Sequence, residues 1–503
     1  MIDVTATTQT REPERPRIRN YFVIAAVGAL IVLGTILRFS HLGATSLWAD
    51  EAASMAIVTN PDADHHLSWP EFLRSTWSRE FNMVFYYSLL RGWIQLGNSE
   101  AFIRSLSVIP GIFNIFIIYL LGARLLSQKV GLVAAFLLAI HVSHIAYSQE
   151  ARSYSLVTLL CSLSFLFLWY GVNTSHRRYW VLYTACTVLA IYTHLFAVFF
   201  LPAQWFSIVF LKPKENRWKS FLISATAVLL LAAPALFFIL THDGGQIGWV
   251  ERTNLRDVAN VAAFLAGVRT RNLWPYIPLL FLAVREFIRI LRESGRSIAS
   301  WSPALLLSWL WVPLFVVLII SIRKPILYPR FLIFCIPACV LVAAWGLCSI
   351  LNRSVFLIYL SVLVFFSLVY VKRYYQTPKE DWRAAAAYVF SHARPGDVVA
   401  LPPTSPPWAF HYYLARWDHN LKIPIDSNPD NAPASQWINT LARGHQRIWL
   451  VQYSQVLTAP GAAAINDAFH RELDREDEYQ VFELQVELYQ RHAAVAQSAR
   501  LGL

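Results

Sequence analysis

Charge is scarce in this 503-residue chain: Asp, Glu, Lys and Arg make up only 15% of it, against 56% hydrophobic residues. A composition so short of charge excludes an ordinary soluble globular protein, in which about a quarter of residues are charged. Cysteine is scarce too. The five present (Cys161, Cys186, Cys335, Cys339 and Cys348) all fall in apolar runs, and no CxxC pair occurs. That excludes a disulfide framework. For Cys335 and Cys339, which share a helix face, the lack of His or carboxylate neighbours favours packing over a metal site. No internal repeat or low-complexity tract is present, which removes the ready argument for an inverted-repeat transporter.

Basic residues exceed acidic ones, giving a net charge of +12, and such an excess can signal nucleic acid. Its distribution argues otherwise. Residues 372–503 carry 13 Lys/Arg against 14 Asp/Glu, so the surplus lies in the preceding part. Much of it sits in alternate short loops: Arg11 to Arg19, Arg124 and Lys129, Arg177 and Arg178, Lys212 to Lys219, Arg289 to Arg296, and Arg353. Positive-inside bias explains this pattern, and no nucleic-acid partner is expected.

The apolar residues are gathered in runs of about 17–25, each long enough to cross a bilayer as a helix. Tyr21 to Leu37 is the first and reads as an uncleaved signal anchor. Further spans are expected near 105–122, 130–147, 154–172, 179–193, 194–211, 219–240, 273–291, 303–321, 327–349 and 354–371. The expected fold class is therefore an all-α membrane bundle of about eleven spans, followed by a C-terminal α/β domain. Three regions follow: a disordered cytoplasmic tail (1–20), a membrane domain (21–371) and a soluble domain (372–503). Placing the basic loops inside puts the N-terminus in the cytoplasm and the C-terminus outside, in a multi-pass plasma-membrane protein. Residues 39–104 form a long outer loop, where Trp69 to Leu73 and Met83 to Trp93 predict short amphipathic helices at the interface. In the tail, Glu380 to Ala393 and Ala434 to Arg443 predict helices. Val398 to Leu401, Ile448 to Gln452 and Gln480 to Tyr489 predict strands. The tail has neither a GxGxxG loop nor a nucleophile elbow, which leaves it acceptor binding or packing.

Against this scarcity of charge, three clusters stand out. Asp50 and Glu51 lie just beyond the first span. Carboxylates there can take a proton from a hydroxyl arriving from water while the other reactant arrives from lipid. In an extended loop their side chains diverge, so separate roles are expected: one as general base, one orienting it. Asp50 could instead cap a helix running through Ala52 and Met55. The second cluster is Gln149-Glu150-Ala151-Arg152-Ser153-Tyr154, in the next outer loop. Its Arg suits a phosphate and its Tyr a stacking face for a sugar. The third is Tyr328-Pro329-Arg330, where Arg330 enters an apolar span and requires an anionic partner. His194, where two spans meet on the outer side, can hydrogen-bond a substrate.

Taken in order, Arg38 with Asp50-Glu51, Tyr86-Tyr87, Gln149 to Tyr154, Tyr192-Thr193-His194, Tyr328 to Leu332 and Asp381-Trp382-Arg383 resemble the GT-C glycosyltransferases. The resemblance is to family-39-like membrane enzymes related to protein O-mannosyltransferases and lipid A aminoarabinose transferases. It covers most of residues 20–390, and it departs at Phe81-Asn82-Met83, where relatives often read His-Pro-Pro. It implies transfer of a hexose or pentose from a polyprenyl-phosphate donor, with inversion, to a lipid, glycan or protein acceptor. Asp50 would be the catalytic base, with Glu51 supporting it. Glu150, Arg152, Tyr154, His194, Tyr328 and Arg330 would bind substrate. Neither a cofactor nor a metal is implied. The alternatives are an oligosaccharide ligase or polymerase with a diphosphate donor, and a transporter or flippase.

Overall fold

The computed structural model describes residues 16–59, 67–174, 176–212, 215–241, 248–402, 407–417, 422–428, 432–454 and 460–491. The N-terminal tail expected to be disordered lies outside these as far as residue 15. Helix α1 (Pro16–Phe39) opens the described chain. The loop after it folds into α2 (Ala49–Thr59), α3 (Trp69–Arg79) and α4 (Val84–Trp93), with Phe81–Met83 as a single 3₁₀ turn. The bundle continues with α5 (Glu100–Leu125), α6 (Gln128–Ala139), α7 (Val142–Ser148), α8 (Tyr154–Asn173) and α9 (Arg177–Thr193). It is completed by α10 (Leu201–Ser207), α11 (Glu215–Thr241), α12 (Leu255–Ala266), α13 (Tyr276–Ser294), α14 (Ile298–Ser321), α15 (Ile336–Cys348) and α16 (Arg353–Gln376).

All eleven expected spans are helical, but they are not equal. Among the described residues seven helices are long and apolar enough to cross a membrane, or eight if α6 and α7, bent by 59°, count as one broken span. The other three account for the difference from eleven. The 17 residues of α9 fall just short, Leu195–Phe210 is a chain of short 3₁₀ and α-helical pieces, and α13 carries Arg285, Glu286, Arg289 and Arg292 from its middle onward.

The break between α6 and α7 is filled by Arg38, at the end of α1. Its guanidinium donates to Ala139 O (3.1 Å) and Leu138 O (3.2 Å), the last two carbonyls of α6. It also bonds His144 Nδ1 at 2.9 Å. The other ring nitrogen of His144 faces Asn114, and His141 Nε2 faces Leu265 O (3.1 Å), so the two histidines serve packing through separate partners. The bend turns the 148–153 loop toward α2. Close approach of α5 and α6 depends on Gly122 and Gly131. A Cβ on Gly122 would meet the Gly131 backbone at 2.6 Å.

The tail is an α/β unit: α17 (Trp382–His392), β1 (Val398–Ala400), α18 (Pro407–Trp417), β2 (Ile425–Asp426), α19 (Ala434–Gly444), β3 (Arg447–Tyr453), α20 (Pro460–Glu472), β4 (Leu473–Val481) and β5 (Leu484–Arg491). Strand order is β2-β1-β3-β5-β4, parallel among the first three and antiparallel beyond. The expected final strand, Gln480 to Tyr489, is instead a hairpin. Glu483 takes a positive φ of 60°, a turn conformation that its sequence does not advertise. Alternation along the strands separates two cores. Val398, Ala400, Ile448 and Leu450 face α19 and α20, whereas Val399, Trp449 and Val451 join a cluster with Trp382 and Tyr413. That second cluster continues into Leu47, Met55, Tyr86 and Leu90. The tail thus shares a hydrophobic core with α2 and α4.

Candidate active site

Helix α2 begins at Ala49, so Asp50 and Glu51 stand in its first turn. The expected extended loop is a helix here, and its two carboxylates point about 100° apart. Nor does Asp50 cap the helix. Glu51 takes that part, its Oε2 accepting from Trp48 N at 3.3 Å.

Glu51 is fully buried and bound on all sides. Arg104, near the start of α5, donates from Nε to Oε1 (2.8 Å) and from Nη2 to Oε2 (2.7 Å). Ala151 N donates to Oε1 at 2.8 Å, tying α2 to the second motif. Burial alone would raise the Glu51 carboxyl, but Arg104 and the Ala151 amide bring it below its ordinary value. Arg104 also reaches the carbonyls of Leu42, Thr45 and Ser46 at 2.8, 2.9 and 2.8 Å. Both Glu51 oxygens thus already accept from two protein donors each.

Asp50 is different. Its Oδ2 lies 3.0 Å from Arg330 Nη1 and 4.0 Å from Arg152 Nη2. No N–H points at it, so this buried oxygen has ion-pair neighbours and no hydrogen-bond donor. Arg152 spends Nη1 on Asp50 O (3.2 Å) and Ser54 Oγ (3.1 Å). Arg330 is packed among the rings of Tyr328, Trp249 and Trp48 at 5.2, 5.4 and 5.8 Å.

The other expected site residues gather here. Tyr154 is buried, with its ring 5.7 Å from that of His194, which in turn lies 6.1 Å from Phe331. Glu150 is buried with one oxygen 3.9 Å from Lys379 Nζ and the other unpartnered. Burial, with Glu51 and Asp50 adding repulsion against the pull of Lys379, pushes Glu150 up to about 7. Buried polar atoms without a protein partner concentrate at this spot: Trp48 Nε1, Asp50 Oδ2, Glu150 Oε2, Arg152 Nε, His194 Nε2 and Arg330 Nε. Such atoms are rare in folded proteins, and their convergence marks a place built to receive a polar ligand. Among the described residues no group of three His, Cys, Asp or Glu could hold a metal ion.

Three participants escaped the sequence reading. Arg104 is a cation entering an apolar run, the same signal that singled out Arg330. Glu80, raised by burial and by Asp50 against the opposing pull of Arg152, stands next to the site at the end of α3. Lys379 comes from the connection between α16 and α17. Asn82, where the motif departs from its relatives, accepts from Leu195 N at 3.1 Å and anchors the His194 segment.

A family model described as dolichyl-phosphate-mannose-protein mannosyltransferase matches residues 83–239, which include Glu150, Arg152, Tyr154 and His194. No curated protein matches the chain in sequence. Solved structures do match in fold. The archaeal oligosaccharyltransferase AglB from Archaeoglobus fulgidus, in complex with an inhibitory peptide and a dolichol-phosphate, aligns with a TM-score of 0.59 at 10% identity, over 95% of this chain and 75% of that one. ArnT from Cupriavidus metallidurans in the apo state aligns at 0.58 and 12% identity, over 94% and 98% of the two chains. ArnT bound to undecaprenyl phosphate aligns at 0.56 and 12%, over 93% and 98%. The expected GT-C fold is the observed one.

Proposed function

We propose that this protein is a membrane glycosyltransferase that moves a monosaccharide from a polyprenyl-phosphate carrier to an acceptor hydroxyl on the outer face. The observation that carries this reading is Asp50 Oδ2, a buried carboxylate oxygen without a hydrogen-bond donor, set between two arginines. A general base and an anion-binding pair in one place are what such a transfer needs. The family match and the fold likeness to ArnT bound to undecaprenyl phosphate support the same class of donor.

In the proposed reaction, Asp50 takes the proton of the acceptor hydroxyl as its oxygen attacks the anomeric carbon. The bond from that carbon to the phosphate oxygen breaks on the opposite side, inverting the centre. Polyprenyl phosphate leaves as an anion, with its growing charge met by Arg330 and Arg152. The arginine pair also sets an order. Arg330 holds Asp50 until a phosphate competes for it, so docking of the donor frees the base. Tyr154, His194 and Tyr328 would frame the sugar, with Glu150 accepting from one of its hydroxyls.

A second reading, transfer of an oligosaccharide from a diphosphate carrier, draws on the likeness to the oligosaccharyltransferase AglB. Purified protein, supplied separately with a synthetic monosaccharyl polyprenyl phosphate and an oligosaccharyl polyprenyl diphosphate, separates the two. We expect turnover with the monophosphate. Turnover confined to the diphosphate would replace this reading with the second.

A further inference from the structure

We infer that the tail is a clamp on the Asp50 loop, and that Tyr413 is its main positioning residue. This rests on the proposed function above, and it gives a task to a domain whose sequence offers no chemistry of its own. Residues 42–49, which carry Asp50 into place, are held from two sides. From the bundle, Arg104 takes the carbonyls of Leu42, Thr45 and Ser46. The tail takes the rest. The hydroxyl of Tyr413 on α18 accepts from Leu47 N at 2.7 Å and lies 3.2 Å from Glu100 Oε1, to which it donates. Arg383 on α17 stands 3.5 Å from the same carboxylate oxygen and donates to Ala44 O at 3.1 Å. Ser46 Oγ donates to Glu380 O at 2.6 Å. The Glu380 carboxylate is itself held by Trp382 Nε1 (2.6 Å) and Tyr453 OH (3.0 Å).

The burial matches the bonding. Leu47 is 0% exposed and Tyr413 1%, both in the core that the tail shares with α2. A buried amide has no water to fall back on, so Leu47 N depends on the Tyr413 hydroxyl for its bond. Three residues later the chain reaches Asp50. Because a general base must lie within hydrogen-bond reach of the hydroxyl it deprotonates, held to about 0.5 Å, a loosened loop lowers turnover without touching the donor site.

The test uses the full chain in lipid nanodiscs. Tyr413→Phe keeps the ring and the packing and removes only the hydroxyl. We expect amide exchange at Leu47 and its neighbours to quicken about tenfold or more. Turnover should fall about five- to tenfold while the KM for a synthetic polyprenyl-phosphate sugar stays within about twofold. Arg383→Ala should loosen the same amides from a separate strap. Tyr412→Phe, whose hydroxyl accepts from Arg416, serves as the control. Unchanged exchange in Tyr413→Phe would overturn the clamp. Faster exchange with unchanged turnover would show a latch that does not serve Asp50, and would overturn the positioning role. Should Asp50→Asn retain activity, the proposed function fails, yet the exchange data still decide whether the tail holds the loop.

Discussion

Replacing Glu51 with Gln is the sharpest test of how the site is held. Both partners of the Glu51–Arg104 pair are buried, with side-chain exposures of 0% and 2%. Glu51 accepts from Arg104 Nε and Nη2, from Ala151 N and from Trp48 N. A Gln offers one oxygen in place of two and turns an NH₂ toward a guanidinium, so at least one strong bond is lost and two donors face each other. Arg104 keeps its three carbonyl partners but loses its counter-charge. Breaking a buried pair from one side costs about 3–5 kcal/mol, most of it from the stranded charge. Removing both partners strands no charge, although the carbonyls of Leu42, Thr45 and Ser46 lose their donor, so Glu51→Gln/Arg104→Met should cost less than the two single changes added together, by about 1–3 kcal/mol. Thermal unfolding of the four proteins in nanodiscs reads this directly. Since the folded Glu51 carboxyl lies below its ordinary value, its contribution is present above the unfolded pKa and is lost as pH falls through the folded one. A Glu51→Gln protein as stable as the parent at pH 7, or strictly additive single changes, would refute the structural role given to this pair.

Arg330→Ala should weaken donor binding or turnover by more than Arg330→Lys, which keeps the charge but not the fork; parental binding and turnover in Arg330→Ala would leave it a headgroup anchor. For Glu150 the sign is reversed relative to Glu51. Its pKa, raised to about 7, means that the fold prefers it protonated, so ionised Glu150 costs stability that grows from about pH 4.5 to 7, up to roughly 3 kcal/mol. Glu150→Gln should therefore raise the unfolding temperature at pH 8 and leave it unchanged at pH 4; equal effects at both would contradict the burial argument. Orientation is tested by phosphatase fusions: one after Tyr375 should be active and one after Arg178 inactive.

The parts of this molecule that sequence reveals best are those where charge meets an apolar run. Asp50, Arg152 and Arg330 are 102 to 280 residues apart in number yet converge within 4.0 Å of one carboxylate, and each was visible as an ionised group at the edge of a span. Arg104 gives the same signal near the start of α5, where an arginine can equally snorkel to water. Which of Asp50 and Glu51 faces the site is hidden in the sequence for a different reason. Adjacent carboxylates look alike in sequence, and only the helical start at Ala49 sends one into the bundle and the other into the site. Composition counted eleven spans because hydropathy does not see whether a run is one continuous helix, as α14 is, or pieces that change after Phe200 and Ser207. The clamp was invisible altogether, since its partners, Leu47 and Tyr413, are ordinary core residues 366 positions apart.

The proposed transfer stands or falls with Asp50 as its base. The direct measurement is turnover by purified Asp50→Asn protein with a synthetic polyprenyl-phosphate sugar, at matched folding and matched donor binding. Asn keeps the shape and cannot accept the proton, so kcat should fall by about 10²–10⁴ with the unfolding temperature little changed. Turnover within a few-fold of the parent would contradict it, and would return Asp50 to being one carboxylate in the first turn of a helix.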